Sequence, residues 1–321
     1  MYEYTQKIRD IINKQRKSHI LSKNRALWNQ LLSSLDVIED TQEAIDAYSA
    51  SEFGKGKRGE YLAIYGLLQA LYVQQDAIKN LGESLKIPIT LKDYPALEYI
   101  RNIRNRSIGH PTKKGETNEK KDKPNKEKPN SYHFISRTTL CPKGFQLLSF
   151  YYDGKREFKD ISTVDLIEDQ GKYISEILIS VTNKLEQEEM AHKEKFRDEK
   201  LTSIFPDSLD YHFQKLLEST ESKEQNKLGV INLRQIKKSL EDFRETLANR
   251  GIELETYDSI KYVYEQIEYP LSELERFFQM SKKEKDSNID EKAAYIFAFF
   301  IEKQFDELKQ IAKEIDSDYS R

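Results

Sequence analysis

The chain has 321 residues, of which 33% are charged and 37% hydrophobic, with 12 Gly, 8 Pro and a single Cys. Such a composition belongs to a water-soluble, mainly helical protein, and the length predicts two domains or one domain with a large extension. It excludes a disulfide scaffold and a cysteine-rich zinc site, because Cys141 has no second cysteine to join, and it fits a reducing cytoplasm, the location expected here. The opening MYEYTQKIRD lacks the apolar core of a signal peptide. No uncharged run reaches the roughly 18–20 residues of a membrane span, so neither secretion nor insertion is expected. The net charge of −3 hides a contrast, about +4 over residues 1–200 against about −7 over residues 201–321. Within residues 1–25 seven Lys or Arg face only Glu3 and Asp10, which offers a surface for phosphate or an acidic partner, or simply a solvated helical face.

Helical periodicity predicts long amphipathic helices over 2–21 and 24–50, the second from Leu27, Leu31, Leu35, Ile38 and Ile45. The glycines of Ser51–Gly59 match neither a dinucleotide fingerprint nor a P-loop, so this stretch reads as a flexible connection. Residues 60–85 form the most apolar helix and are the expected centre of a bundle. Pro95 opens a further helix, and Gly109 and Pro111 close it. Residues 112–131 hold seven Lys against four acids with no large apolar side chain, the composition of an unstructured loop. From 132 to 163 β-branched and aromatic residues between turn signals predict an inserted antiparallel sheet of two or three strands. Ser162 with Asp165 then resembles a capping box opening a helix that runs to about residue 200. Beyond Phe205-Pro206, helices are expected over 207–219, 230–250, 256–282 and 289–316, the last opened by Asn288 with Glu291. The apolar run Tyr295–Ile301 implies burial or a subunit contact. The fold class is therefore mainly α: a helical domain over 1–200 carrying the loop at 112–131 and the sheet at 132–163, then a second, acidic all-α domain over 201–321.

Chemistry concentrates near residue 104. On a helix from 95 to 109, Arg104 falls in the stripe of Leu97, Ile100 and Ile108 and points toward the core. A buried guanidinium needs an anion, either a ligand or a structural carboxylate, for which Asp76 is one candidate. Asn105 follows directly, and His110 sits at the helix C-terminus, where the helix dipole favours a protonated imidazole. One uninterrupted helix would not aim Arg104 and His110 at a single atom; Gly109 and Pro111 relieve this, as would a second copy of the motif from a dimer partner. An imidazole titrating near neutrality can take a proton from a ribose 2′-hydroxyl or deliver one to a leaving oxygen, and an arginine can bind the phosphate between them. Arg101 and Arg106, with Lys113 and Lys114 in the following loop, are candidate contacts to an RNA backbone or else solvated charges. The aromatics Tyr132, Phe134, Phe150, Tyr151 and Tyr152 suit packing in a sheet better than stacking on bases. His19, His133, His192 and His212 lack the spacing of a metal site, and no metal or other cofactor is expected. Glu186, Glu188 and Glu189 read as a solvated face.

The run Arg104-Asn105-Arg-Ser-Ile-Gly-His110 resembles the R-x(4–6)-H motif of the HEPN superfamily, including its preferred Asn after the Arg. The resemblance covers residues 1–200; the insertion at 112–163 departs from the minimal HEPN bundle. It implies a helical bundle acting as a metal-independent endoribonuclease, with Arg104, Asn105 and His110 as catalytic residues. It further implies RNA ends carrying a 2′,3′-cyclic phosphate, a homodimer whose motifs meet in one cleft, and the setting of a toxin or antiphage effector with an antitoxin or trigger protein. DNA, lacking the 2′-hydroxyl, should be spared. The alternative is a catalytically inactive helical module for binding RNA or protein or for assembly, in which Arg104 pairs with an acid and His110 merely finishes a helix.

Overall fold

The computed structural model describes residues 1–109, 131–221, 226–279 and 289–320, and of Asn226 the backbone alone. The protein is mainly helical with one small antiparallel sheet. Its residues form two compact units, Met1–Ile12 with Leu21–Leu185, and Asn13–Ile20 with Glu186–Arg321. The division thus falls at Leu185, where the sequence suggests residue 200, and a short N-terminal stretch belongs to the second unit. The loop expected at 112–131 lies, except for Ser131, outside the described residues.

In the first unit, α1 (Tyr2–Ile12), α3 (Arg25–Ser49), α4 (Gly56–Leu85) and α5 (Pro95–Arg104) supply one core, joined by the first part of α6 (Thr163–Phe196). Ile8, Leu35, Ile38, Leu68, Ile78, Ile100 and Leu178 are wholly inaccessible within it, each contributing roughly 1.5–3 kcal/mol by leaving water. The helix expected over 2–21 is two, because α1 ends at Ile12 and α2 (Gln15–Ser22) begins anew. Asn13 is a weak helix former at the junction, and α2 up to Ile20 belongs to the second unit. The glycine-rich connection is shorter than its glycines suggest. Helix α4 already starts at Gly56, and Gly59 admits the Gly54 carbonyl so closely that a Cβ there would lie 1.6 Å from its oxygen.

The core contains a glutamine network that fixes the register of three helices. Gln170 Nε2 of α6 donates to Leu71 O (2.9 Å) and Gln74 Oε1 (3.0 Å) of α4, and Gln75 Nε2 donates to Gln170 Oε1 at 2.8 Å. Gln74 Nε2 reaches Ile38 O of α3 at 3.4 Å. All three glutamines are buried, where unpaired amides would be costly.

The insertion is a three-stranded sheet in the order β1 (Ser131–Ile135), β2 (Gly144–Tyr151), β3 (Arg156–Ser162), with Phe134 opposite Leu148 and Leu148 opposite Phe158. Ile135, Phe145, Leu147 and Ile161 enter the core. Phe134, Phe150 and Phe158 pack on one another, with ring centroids 5.2 and 6.3 Å apart. Tyr48 of α3 and Thr163 both donate to Pro142 O, tying the β1–β2 connection to the helices. Ser162 Oγ accepts from Asp165 N at 3.2 Å, which caps the start of α6.

The second unit packs the end of α6 with α7 (Ser208–Thr220), α8 (Asn226–Asn249), α9 (Asp258–Gln279) and α10 (Glu291–Tyr319) around Leu209, Phe213, Ile236, Phe243, Ile267 and Phe305. Asn288 lies outside the described residues; the cap of α10 is Asp290, whose Oδ1 accepts from Ala293 N at 2.8 Å. The run Tyr295–Ile301 is divided: Ala298 and Ile301 are buried, whereas Tyr295, Ile296 and Phe299 are exposed. The glutamates expected to be solvated are not all so. Glu189 is buried and pairs with Arg16, while Glu188 holds Lys17 at 2.8 Å. With Lys7 on Glu3, and Arg9 on Asp36 and Glu39, much of the basic charge of residues 1–25 is compensated internally.

One arginine anchors this unit. Arg250, at the end of α8, is 0% exposed. Its guanidinium donates to Asp316 Oδ1 (3.3 Å) and to Glu199 O, and lies 4.9 Å from the Tyr319 ring. Asp316 also accepts from Leu201 N, Thr202 N and Thr202 Oγ1, so a single carboxylate closes the turn after α6 onto α10. Nearby, burial and then the charges of Arg16, Lys195 and Arg250 push the His192 imidazole down to about 4. No helix among the described residues is long and apolar enough to cross a membrane.

Candidate functional site

Helix α5 begins at Pro95, where the missing N–H costs nothing, and buries Leu97, Ile100 and Ile103. At Arg104 the regular helix stops, and Asn105–Gly109 forms a π turn, a form concentrated at functional sites. The wider turn rotates the following residues backward. Ser107 therefore joins the buried line, with Ile108 partly buried against the same core, and Arg104 sits beside that line, partly exposed. The expectation that Arg104 points into the core is thus corrected. A guanidinium without a counter-charge is cheaper at the rim, where it lies against the Tyr72 ring of α4, 4.3 Å from the centroid.

The partners of Arg104 are neutral. Nε and Nη2 both donate to Gln69 Oε1, at 3.3 and 2.8 Å, and Nη1 donates to Asn105 Oδ1 at 3.0 Å. Asp76, the candidate partner in the sequence, is taken instead by Arg101 at 2.8 Å, whose guanidinium lies 4.0 Å from the same Tyr72 ring. Among the described residues no carboxylate stands within ion-pair distance of Arg104. Three of its five N–H groups are engaged, and among the described residues the charge meets no counter-ion. Asn105 acts as a positioning residue by holding one arm of the fork.

Gly109 completes this geometry. A Cβ there would meet Arg104 Nη1 at 2.8 Å and Asn105 Oδ1 at 3.2 Å, so the glycine leaves room for the guanidinium to fold along the π turn. His110, Lys113 and Lys114 lie outside the described residues. Arg106 approaches Glu157 Oε2 at 4.0 Å, and the same carboxylate accepts from Tyr151 at 2.8 Å. Tyr151 and then Arg106 hold Glu157 below the usual carboxylate range against its partial burial. Of the candidate basic contacts that are described, Arg101 is paired with Asp76, Arg106 is loosely paired with Glu157, and Arg104 meets no acid among the described residues.

The remaining histidines have protein partners. His19 meets Glu253, His192 meets Tyr319 and His212 meets Asn232, at 2.8–2.9 Å. His133, which sequence reasoning sets aside, lies buried in β1 with Nε2 2.9 Å from Ser131 Oγ and Nδ1 2.8 Å from Ser149 Oγ. The only sequence signal for it is the alternation Ser131, His133, Ile135 on the inward face. Among the described residues no group of three His, Cys, Asp or Glu is placed to hold a metal ion.

Comparison with protein-family models, with curated proteins and with solved structures finds no match to this chain.

Proposed function

We propose that the chain is a HEPN-type, metal-independent endoribonuclease acting as a homodimer, in the setting of a toxin or antiphage effector. The observation that supports this reading best is the state of Arg104: partly exposed, held in place by Gln69, Asn105 and Tyr72, and without a carboxylate among the described residues. An arginine oriented by neutral groups keeps its full attraction for a phosphate, and the remaining N–H groups of its fork match phosphate oxygens.

In this reading the substrate's 2′-oxygen attacks the adjacent phosphorus, its proton passing to a base. The bond from phosphorus to the 5′-oxygen breaks, and that oxygen receives a proton. The products are a 2′,3′-cyclic phosphate and a 5′-hydroxyl. His110 is the group for proton transfer near neutral pH, and Arg104 stabilises the charge that gathers on the phosphate in the transition state. The alternative, in which Arg104 serves an internal ion pair, is weakened because Asp76 is committed to Arg101.

The test is wild type beside Arg104→Ala and His110→Ala, each incubated with total RNA in EDTA, with the fragment ends identified. The expected result is cleavage by wild type alone, leaving cyclic-phosphate ends. Equal cleavage by all three, or metal-dependent ends, would remove the reading. Mixing wild-type with Arg104→Ala subunits tests the shared cleft, since specific activity should fall below that of the wild-type fraction alone.

A further inference from the structure

Beside the π turn lies a cleft of about 680 Å³, within the range of small-ligand sites. Its lining includes Tyr61 and Tyr65 of α4, Ser107 of the π turn, Tyr132 and Phe134 of β1, and Arg137. Tyr65, Tyr132 and Phe134 are each more than 40% exposed, so these rings are not needed to fill the core. Tyr61 and Tyr65 stand with centroids 6.4 Å apart, and Phe134 is backed by Phe150 at 5.2 Å. Aromatic side chains therefore border the cleft from both the helix and the strand.

Two polar features make it more than an apolar groove. Ser107 is 2% exposed, and its Oγ has no hydrogen-bond partner among the described residues. A buried hydroxyl without a protein partner is uncommon and leaves Ser107 able to donate to or accept from a group in the cleft. Arg137 adds a planar cation to the rim. Planar faces, one buried hydroxyl able to donate or accept, and one guanidinium suit a flat heteroaromatic ring with hydrogen-bonding edges.

The cleft also neighbours the phosphate-binding candidate along two elements. Ser107 follows Arg104 by three residues, and Tyr65 precedes Gln69, which holds Arg104, by one helical turn, a rise of about 6 Å. We infer that this cleft is the binding site for an unstacked nucleobase of single-stranded RNA, next to the phosphate carried by Arg104. The inference rests on the reading of Arg104 as a phosphate ligand and adds the substrate class: unpaired strands, read by stacking on Tyr65 and Tyr132 and by one hydrogen bond to Ser107. Duplex RNA, whose bases are already stacked, is a poor fit.

The experiment uses the full chain and a short fluorescein-labelled strand of mixed sequence with every ribose 2′-O-methylated, so that binding is read without cleavage. The same strand in a duplex, and a free mononucleotide, serve as the other arms. Single-strand binding should weaken roughly tenfold in Tyr65→Ala and again in Tyr132→Ala, as expected for lost base–aromatic stacking. Tyr65→Phe should retain it. Ser107→Ala should narrow the affinity difference among homopolymer strands. Circular dichroism melts should leave the exposed-tyrosine variants unchanged.

The inference is overturned if the wild type does not bind the strand, if Tyr65→Ala/Tyr132→Ala binds within about twofold of it, or if duplex binds equally well. Mononucleotide binding at the strand's affinity, dependent on the same tyrosines, would make the cleft a site for free nucleotides instead. The two proposals separate cleanly. Tyrosine-dependent binding without cleavage of natural RNA sinks the nuclease and keeps the cleft, whereas cleavage with tyrosine-independent binding does the reverse.

Discussion

Arg104 and Arg250 are both held against an aromatic ring and both sit at or next to a helix end, yet their surroundings are opposite. Arg250 is fully buried, with Asp316 and a backbone carbonyl closing on it. Arg104 is partly exposed, with amide oxygens and a tyrosine face where an acid would neutralise it. A buried guanidinium requires a counter-charge, and once it has one it holds structure and little else. A rim guanidinium fixed by neutral groups costs less to place and stays available to an external anion. The identity of the partner, more than the depth of burial alone, separates an arginine that supports the fold from one that can bind a ligand.

The sharpest way to break this contrast is to remove each arginine in turn. Arg250→Ala should destabilise the second unit by about 3–5 kcal/mol, because the fully buried guanidinium is lost and the partly buried Asp316 is left without its cation, seen as an earlier unfolding transition in urea. Arg104→Ala should cost about 1 kcal/mol of stability, the scale of an exposed cation–π contact and a few neutral hydrogen bonds, while cleavage falls by about 100-fold or more. Equal losses of stability would erase the distinction. Between these lies Gln170→Ala, expected to cost about 2 kcal/mol by leaving Gln75 Nε2 and Gln74 Oε1 unpaired in the core, which thermal melts would show.

A finer probe is Gly109→Ala. The new methyl group would press on the far end of the Arg104 side chain and on the Asn105 amide, both of which can swing away, so the melting temperature should hold within about 2 °C. The displaced guanidinium should still cost about tenfold in cleavage. Unchanged cleavage would mean that the position of the fork beside Gly109 does not matter.

The last probe concerns pH. Burial depresses His192, which sits at about 4 in the folded protein against about 6.5 unfolded. The unfolded state then binds the extra proton first, so the contribution of His192 to stability is complete above pH 6.5 and is lost as pH falls toward 4. Melting temperatures between pH 7 and pH 4.5 should therefore drop less steeply in His192→Gln than in wild type. Parallel curves would show that His192 is not the group responsible.

Much of the fold was legible because its signals are local. Pro95 marks the start of α5, Ser162 caps α6, and the aromatic stretches between turns mark the three strands. The Arg104–Asn105 pair stood out for its chemistry. What stayed hidden depends on distant partners or on backbone forms without a residue signature. No amino acid announces a π turn, so the burial of Ser107 could not be read, and the place of Arg104 beside the buried line of Leu97, Ile100 and Ile103 is set by how α5 packs. The pairing of Glu188 and Glu189 with Lys17 and Arg16 joins residues more than 170 positions apart, and a run of glutamates looks solvated when its cations are that far away. The cleft beside the π turn was invisible for the same reason, since it gathers α4, residue 107 and β1.

The assignment of α2 to the second unit bears on how the chain is made. Arg16, Lys17 and His19 are synthesised well before their partners Glu188, Glu189 and Glu253, which come roughly 170 to 235 residues later. At about 5–20 residues per second of translation, this leaves on the order of 10–50 s during which a short basic helix has been produced without the acids it finally meets. During that interval the nascent chain carries its cationic segment without these partners, Glu188 and Glu189 arriving first and Glu253 last.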